Sequence, residues 1–248
     1  MLPLYIINPN SLGEVTARIA RASQTQAGTN DPPLRCVTLD AAPPGIISQR
    51  DADLAATLVA DFVERHHAQA SGFVIACYSD PGLSAARELT RKPVIGIGQA
   101  SLATALSLGE RIGVIAVSSR GIARHWRAYR AFGCDALIAG ERAIDVSVAE
   151  SGDEGLALQR LIDTACRLRD DDGAGVIVLG CAGMAELRAR VEDAVGVPVI
   201  DPCGAAVALA LARVREIRQG AGHVATPAVM PAITPAAAFS ASPTSTVP

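Results

Sequence analysis

The chain has 248 residues, half of them hydrophobic, 19% charged and only 3% aromatic, with a net charge of −3 at pH 7. That length suits one large domain or two small ones with a sizeable core. The most apolar strip, 175–185, is about half the ~18 residues of a membrane span and holds Gly180, Cys181 and Gly183, so no membrane is expected, and the slight acidity leaves no basic footprint for nucleic acid.

In chain order, the opening Met-Leu-Pro-Leu-Tyr-Ile-Ile-Asn-Pro-Asn has no basic leader and reaches polar residues by Asn8, which reads as no signal peptide. The expected setting is cytoplasmic, with the six cysteines as reduced thiols. Short β-branched runs alternate with longer Ala/Leu/Arg/Glu stretches, the pattern of a parallel sheet covered by helices. The predicted strands are 4–7, 35–39, 72–76, 94–97, 112–117, 136–139, 175–179 and 197–200. Helices fit about 12–22, 51–69, 82–91, 99–109, 120–131, 153–170, 183–194 and 204–218. From Gly220 onward, Ala, Pro, Ser and Thr dominate, and Pro227, Pro231, Pro235 and Pro243 recur too often for a helix. That tail is predicted to be disordered.

The strands form one unit used twice. Phe-Val-Ile-Ala-Cys (73–77) leads through a helix to Lys-Pro-Val-Ile-Gly (92–96), and Val-Ile-Val-Leu-Gly-Cys (176–181) leads through a helix to Val-Pro-Val-Ile-Asp (197–201). Cysteine and proline are 16 positions apart in the first case and 17 in the second. The openings Leu4–Asn8 and Val114-Ile-Ala-Val-Ser118 correspond as well. The predicted fold is therefore α/β: two similar Rossmann-like lobes, each with a four-stranded parallel sheet, related by a pseudo-twofold axis. Residues 1–97 plus 204–219 make one lobe, 98–203 the other, and 220–248 the tail.

Open parallel sheets bind ligands at the carboxyl ends of their strands. Cys77 and Cys181 each end the third strand of their half and precede a helix, so two facing lobes would set the thiols on opposite walls of a cleft. One sulfur can then remove a proton from one face of a carbon while the other returns a proton to the opposite face. Helix starts are expected to lower the thiol pKa from about 8.5, and their N–H groups can hold charge developing on a carbonyl oxygen. The scheme needs no metal and no organic cofactor. Cys36, Cys134 and Cys166 read as inert core residues, and Cys203 as a possible neighbour of the cleft.

Ala-Cys-Tyr-Ser-Asp-Pro-Gly-Leu (76–83), Leu-Gly-Cys-Ala-Gly-Met (179–184), Ile-Asn-Pro-Asn-Ser (7–11), Pro-Val-Ile-Gly-Ile (93–97) and the Arg87-Glu88 pair resemble the hydantoin racemase family, allantoin racemases included, within the aspartate/glutamate racemase superfamily. The likeness spans about residues 3–218. It implies a cofactor-independent racemase with Cys77 and Cys181 as its acid/base pair, acting on 5-monosubstituted hydantoins or allantoin. It also implies that the helix after the last strand returns to the first lobe.

Substrate-binding candidates are Asn8, Ser79, Ser118 and Ser119 as polar groups at strand ends, and Ala182 and Gly183 as backbone donors. Ile47, in a Pro44-Gly45-Ile46-Ile47 loop like the one the family lays over its cleft, is the candidate for touching the substituent. Leu12 after Ser11, Gln99, Ser118-Ser119 and Pro202-Cys203 depart from the family pattern and bear on the substrate. Asn8, Ser79, Ser118 and Ser119 serve equally well as turn or cap residues. His66-His67 reads as a solvated face rather than a metal site, and Trp126 and Tyr129 as core or oligomer contacts. The expected partner is a small molecule, and the expected assembly a homo-oligomer. The alternatives are an amino-acid racemase, a cofactor-free decarboxylase or cis–trans isomerase of the same superfamily, or a non-catalytic binding protein.

Overall fold

The computed structural model describes residues 1–220. The expected disordered tail lies outside the described residues, apart from Gly220 at its start. Strands β1 (Leu4–Asn8), β2 (Leu34–Thr38), β3 (Gly72–Ile75) and β4 (Val94–Gly96) form a parallel sheet in the order β2-β1-β3-β4. Strands β5 (Ile112–Ala116), β6 (Ile138–Ala143), β7 (Val176–Gly180) and β8 (Val199–Ile200) repeat it as β6-β5-β7-β8. The helices are α1 (Gly13–Gln24), α2 (Gln49–His66), α3 (Leu83–Leu89), α4 (Ile97–Leu106), α5 (Ser119–Phe132), α6 (Glu154–Asp170), α7 (Arg188–Val195) and α8 (Pro202–Arg218).

Both faces of each sheet are covered, which is why the central strands read as unbroken apolar runs. On the first sheet Tyr5, Ile7, Phe73 and Ile75 pack under Val59 and Val63 of α2 and Leu83 of α3. The alternate residues Leu4, Ile6 and Val74 face Val15 and Ile19 of α1 and Val207 and Leu211 of α8. On the second sheet Ile115, Ile177 and Leu179 meet Leu161 and Leu168 of α6 and Val191 of α7. Its other face, Val114, Val176 and Val178, meets Leu102 of α4 and Tyr129 of α5. The halves thus exchange helices: α4, which follows the first sheet, covers the second, and α8, which follows the second, covers the first.

The structure moves several element ends from where sequence patterning puts them. Helix α8 begins at Pro202 rather than 204, because Asp201 accepts from the N–H groups of Cys203 and Gly204 (2.9 Å each) and proline suits the first helical turn. The strand expected at 136–139 opens as a 3-10 turn (Asp135–Leu137), and β6 runs on through Glu141 and Arg142. Charged residues argue against a strand, but here each has a partner. Glu141 is bonded to His125 and Tyr129, and Arg142 forks onto Asp172 at 2.6 and 2.9 Å. The helix expected at 183–194 divides into a 3-10 stretch, Ala182–Leu187, followed by α7. Among the described residues, no helix is long and apolar enough to cross a membrane.

Candidate active site

In both sheets the chain leaves the two central strands in opposite directions, so a crevice opens beyond their carboxyl ends. Cys77 follows β3 by two residues, and Cys181 directly follows β7. Both line one small cavity of about 50 Å³. The first half contributes Asn10, Ile46, Ile47, Tyr78 and Ser79, and the second contributes Val117, Ser118, Arg124, His125, Val148 and Ala182. The loop carrying Ile46 and Ile47 closes over it: Gly45 lies so near Val148 that a Cβ would sit 2.9 Å from Val148 Cγ2. Arg124 Nη2 holds that loop at the Ile46 carbonyl (3.2 Å).

Of the candidates read from sequence, Cys77, Cys181, Ile47, Ser79, Ser118 and Ala182 line the cavity. Asn8 stands behind it, fully buried, its NH2 donating to Asn10 Oδ1 (2.9 Å), Leu12 O (3.2 Å) and Thr16 Oγ1 (3.0 Å). The lining residue is Asn10, two positions on. Its Oδ1 is taken by Asn8 and the Leu12 N–H, so its NH2 is the donor left for a ligand. Ser118 both lines the cavity and caps α5 by accepting from the Arg120 N–H at 3.3 Å. Ser119 does not line it, and donates its N–H to Asp145 (2.7 Å). Gly183 is also off the lining. Its N–H points at Cys181 Sγ (3.4 Å), and a Cβ there would meet Ser151 Oγ at 2.6 Å. Cys203 is buried among Ile6, Val74 and Ala182 without reaching the cavity.

The thiols do not behave as their helix starts suggest. Burial pushes the Cys77 thiol up to about 11, against the Ser79 N–H and the Arg124 charge, with Cys181 and Asp80 pushing it further. Burial also raises Cys181, opposed by hydrogen bonds from Ser151 and the Gly183 N–H and by the charge of Arg18. The expectation of lowered pKa values is corrected: loss of solvation outweighs the donors at each helix start. Both shifts favour the protonated thiols at neutral pH. Ser151 can meet Cys181 in either protonation state. Its single hydroxyl proton goes to the Val148 carbonyl (2.9 Å), leaving its oxygen to accept from the Cys181 S–H at 3.5 Å. When Cys181 loses its proton, that hydroxyl can turn and donate to the sulfur.

Sequence reasoning passed over the polar groups that α5 brings to the cavity. Arg124 directs Nε and Nη2 onto Ser79 Oγ (3.1 and 3.0 Å), while its Nη1 is buried with no hydrogen-bond partner among the described residues. His125 Nδ1 lies 2.5 Å from the buried carboxylate of Glu141. With its proton on Nδ1, its Nε2 accepts the Ser79 hydroxyl (3.4 Å). Tyr129 donates to Glu141 (3.1 Å) and shares a 3.1 Å bond with Tyr78. Ser79 is thereby fully engaged in orienting Arg124 and His125. The signal for this face was the spacing of Gly121, His125 and Tyr129, which fall one turn apart on the buried side of α5.

The Cys77 loop is fixed from below. Asp80, in the left-handed region (φ 46°), accepts from the N–H groups of Gly98 and Gln99 at the start of α4, 2.8 Å each. Burial nevertheless pushes its carboxyl up to about 7.

A family model described as Asp/Glu/Hydantoin racemase matches residues 4–210. A hydantoin racemase of Rhizobium meliloti is 33% identical over 230 residues, covering 89% of this chain and 90% of the relative. Among solved structures, an allantoin racemase from Klebsiella pneumoniae superposes with a TM-score of 0.82 at 32% identity, over 89% of each chain. An allantoin racemase from Pseudomonas fluorescens does so with a TM-score of 0.79 at 27% identity, over 88% of this chain and 92% of that one.

Proposed function

The chain belongs to the Asp/Glu/Hydantoin racemase family, and from that premise we propose that it is a cofactor-independent racemase of 5-monosubstituted hydantoins or allantoin, with Cys77 and Cys181 as its two acid/base groups. The observation that carries this reading is that the two cysteines, at equivalent strand ends of two repeated sheets, line one cavity. The stereocentre of such a ring is acidified by the adjacent carbonyl. One sulfur takes its proton and the other delivers a proton to the opposite face. The enolate oxygen formed in between needs donors, and Asn10, Ser118 and Arg124 are the polar side chains at hand. Ile47, which lines the cavity, is the candidate for touching the ring substituent, and the cavity of about 50 Å³ favours a compact ring.

The chemistry requires one thiolate and one thiol, whereas both sulfurs rest as thiols. With the Cys77 thiol near 11, the reactive fraction grows as pH rises. The expected profile of kcat/KM climbs about tenfold per pH unit between pH 7 and 9. A plateau reached below pH 7 would show that some group already holds one sulfur as thiolate. The reading also takes the protein to be cytoplasmic and homo-oligomeric. All six cysteines are free, which suits a reducing compartment, and light scattering on the purified protein tests self-association.

Deuterium exchange at the stereocentre, followed by NMR in heavy water, tests the substrate class. A panel of hydantoins, allantoin, aspartate and glutamate should show exchange with the cyclic ureides and none with the amino acids. Exchange confined to aspartate or glutamate would replace this reading with the amino-acid racemase.

A further inference from the structure

Among the groups lining the cavity is a guanidinium, that of Arg124. Arg124 is half-buried, and burial disfavours its charged form. It forms no ion pair with any carboxylate among the described residues. The acids nearby are engaged elsewhere. Asp51, the third residue of α2, accepts from the Ser48 hydroxyl and from the Ser48 and Ile47 N–H groups in the capping box that Ser48 opens, and Glu141 is held by His125 and Tyr129. Arg127, the neighbouring cation, donates to Gln49. Two of the Arg124 nitrogens are fixed by Ser79 and Ile46, so the side chain is pre-oriented, while Nη1 is shielded from solvent and has no acceptor. Asp51 and Glu141 favour its charge without pairing with it, and a carboxylate arriving with the ligand would give this half-buried guanidinium a direct partner.

We propose that Arg124 is a receptor for a carboxylate on the substrate's substituent, so that the preferred substrates are hydantoins whose 5-side chain ends in an acid group. This rests on the hydantoin reading above and narrows it. The position fits: Arg124 touches the Ile46–Ile47 loop, where a substituent would lie, and Ser79, two residues beyond Cys77. The ring would sit between the sulfurs while its acidic arm reaches the Arg124 guanidinium.

The test compares acids with their uncharged amides of equal size. Racemisation of 5-carboxymethyl- and 5-carboxyethylhydantoin is followed by polarimetry beside the 5-carbamoylmethyl and 5-carbamoylethyl compounds and 5-isobutylhydantoin. The wild-type chain should show kcat/KM at least ~30-fold higher for the better acid than for its amide, the size expected of a desolvated charge pair. Arg124→Gln should collapse that acid-over-amide ratio towards one, slowing the acid at least ~10-fold more than the amide, and Arg124→Lys should restore part of the ratio. The wild-type comparison needs no variant, so misfolding of Arg124→Gln cannot obscure the answer. Equal turnover of acid and amide, or an equal loss of both in Arg124→Gln, overturns the proposal, the latter because Arg124 would then act only through Cys77 or Ser79. Racemisation of the neutral hydantoins alone removes this inference and leaves the proposed function standing. No turnover of any hydantoin removes both.

Discussion

Cys77→Ser and Cys181→Ser should each cut racemisation at least ~10³-fold, because each removes one of the two groups proposed to exchange protons with the stereocentre. A serine hydroxyl is far too weak an acid to form the anion that a thiol forms. The site that receives it is otherwise little disturbed. At position 181 the hydroxyl can take the bonds that Ser151 and the Gly183 N–H now make to sulfur. At position 77 it meets the Ser79 N–H. The cost in stability should therefore stay near 1 kcal/mol, and circular dichroism and thermal melts separate lost chemistry from lost fold. The equilibrium constant of a racemisation is one, so either substitution must reduce kcat/KM equally for the two enantiomers. Full activity in either variant would mean that its sulfur is a bystander.

Gly98→Ala should be the most damaging small substitution outside the cavity wall. A Cβ at position 98 would lie 2.2 Å from the Tyr78 carbonyl oxygen and 3.0 Å from Asp80 Oδ2, and neither the backbone nor the pinned carboxylate can yield cheaply. Tyr78 adjoins Cys77, so relieving the clash displaces the sulfur. A shift of about 1 Å can cost 10²-fold in rate, and overpacking costs about 1–3 kcal/mol. The variant should thus lose around two orders of magnitude in kcat and melt several degrees lower. Gly196→Ala is the control: it lies in open space at φ 74°, at the end of α7 and off the cavity lining, so it should lose stability without losing kcat. An unimpaired kcat in Gly98→Ala would show that the Cys77 loop is not positioned by α4.

The two sheets were legible because buried parallel strands leave unbroken β-branched runs, and the repeated spacing of Cys77 to Pro93 and Cys181 to Pro198 made the duplication visible. Strand β6 was misplaced because Glu141 and Arg142 look unfit for a strand until the partners across the fold, His125 and Asp172, are known. The cysteines and the Ile47 loop could be found from local motifs. Arg124 could not, since an arginine in the charged segment 119–132 looks solvated and only the packing of α5 turns it inward. Asn8 and Asn10 are equivalent on paper, and the turn geometry alone decides which one faces the cavity. The direction of the thiol pKa shifts escaped for a similar reason: helix starts can be read from a sequence, but the burial that outweighs them cannot.

The central claim is that the two sulfurs serve opposite faces of one stereocentre. It is tested most directly by incubating each pure enantiomer of a racemised hydantoin with Cys77→Ser and with Cys181→Ser in heavy water, following loss of the stereocentre hydrogen by NMR with the uncatalysed rate subtracted. Each variant is expected to exchange hydrogen for deuterium in one enantiomer only, with retention of configuration, and the two variants to choose opposite enantiomers. Exchange of the same enantiomer by both variants, or inversion by either, would contradict it.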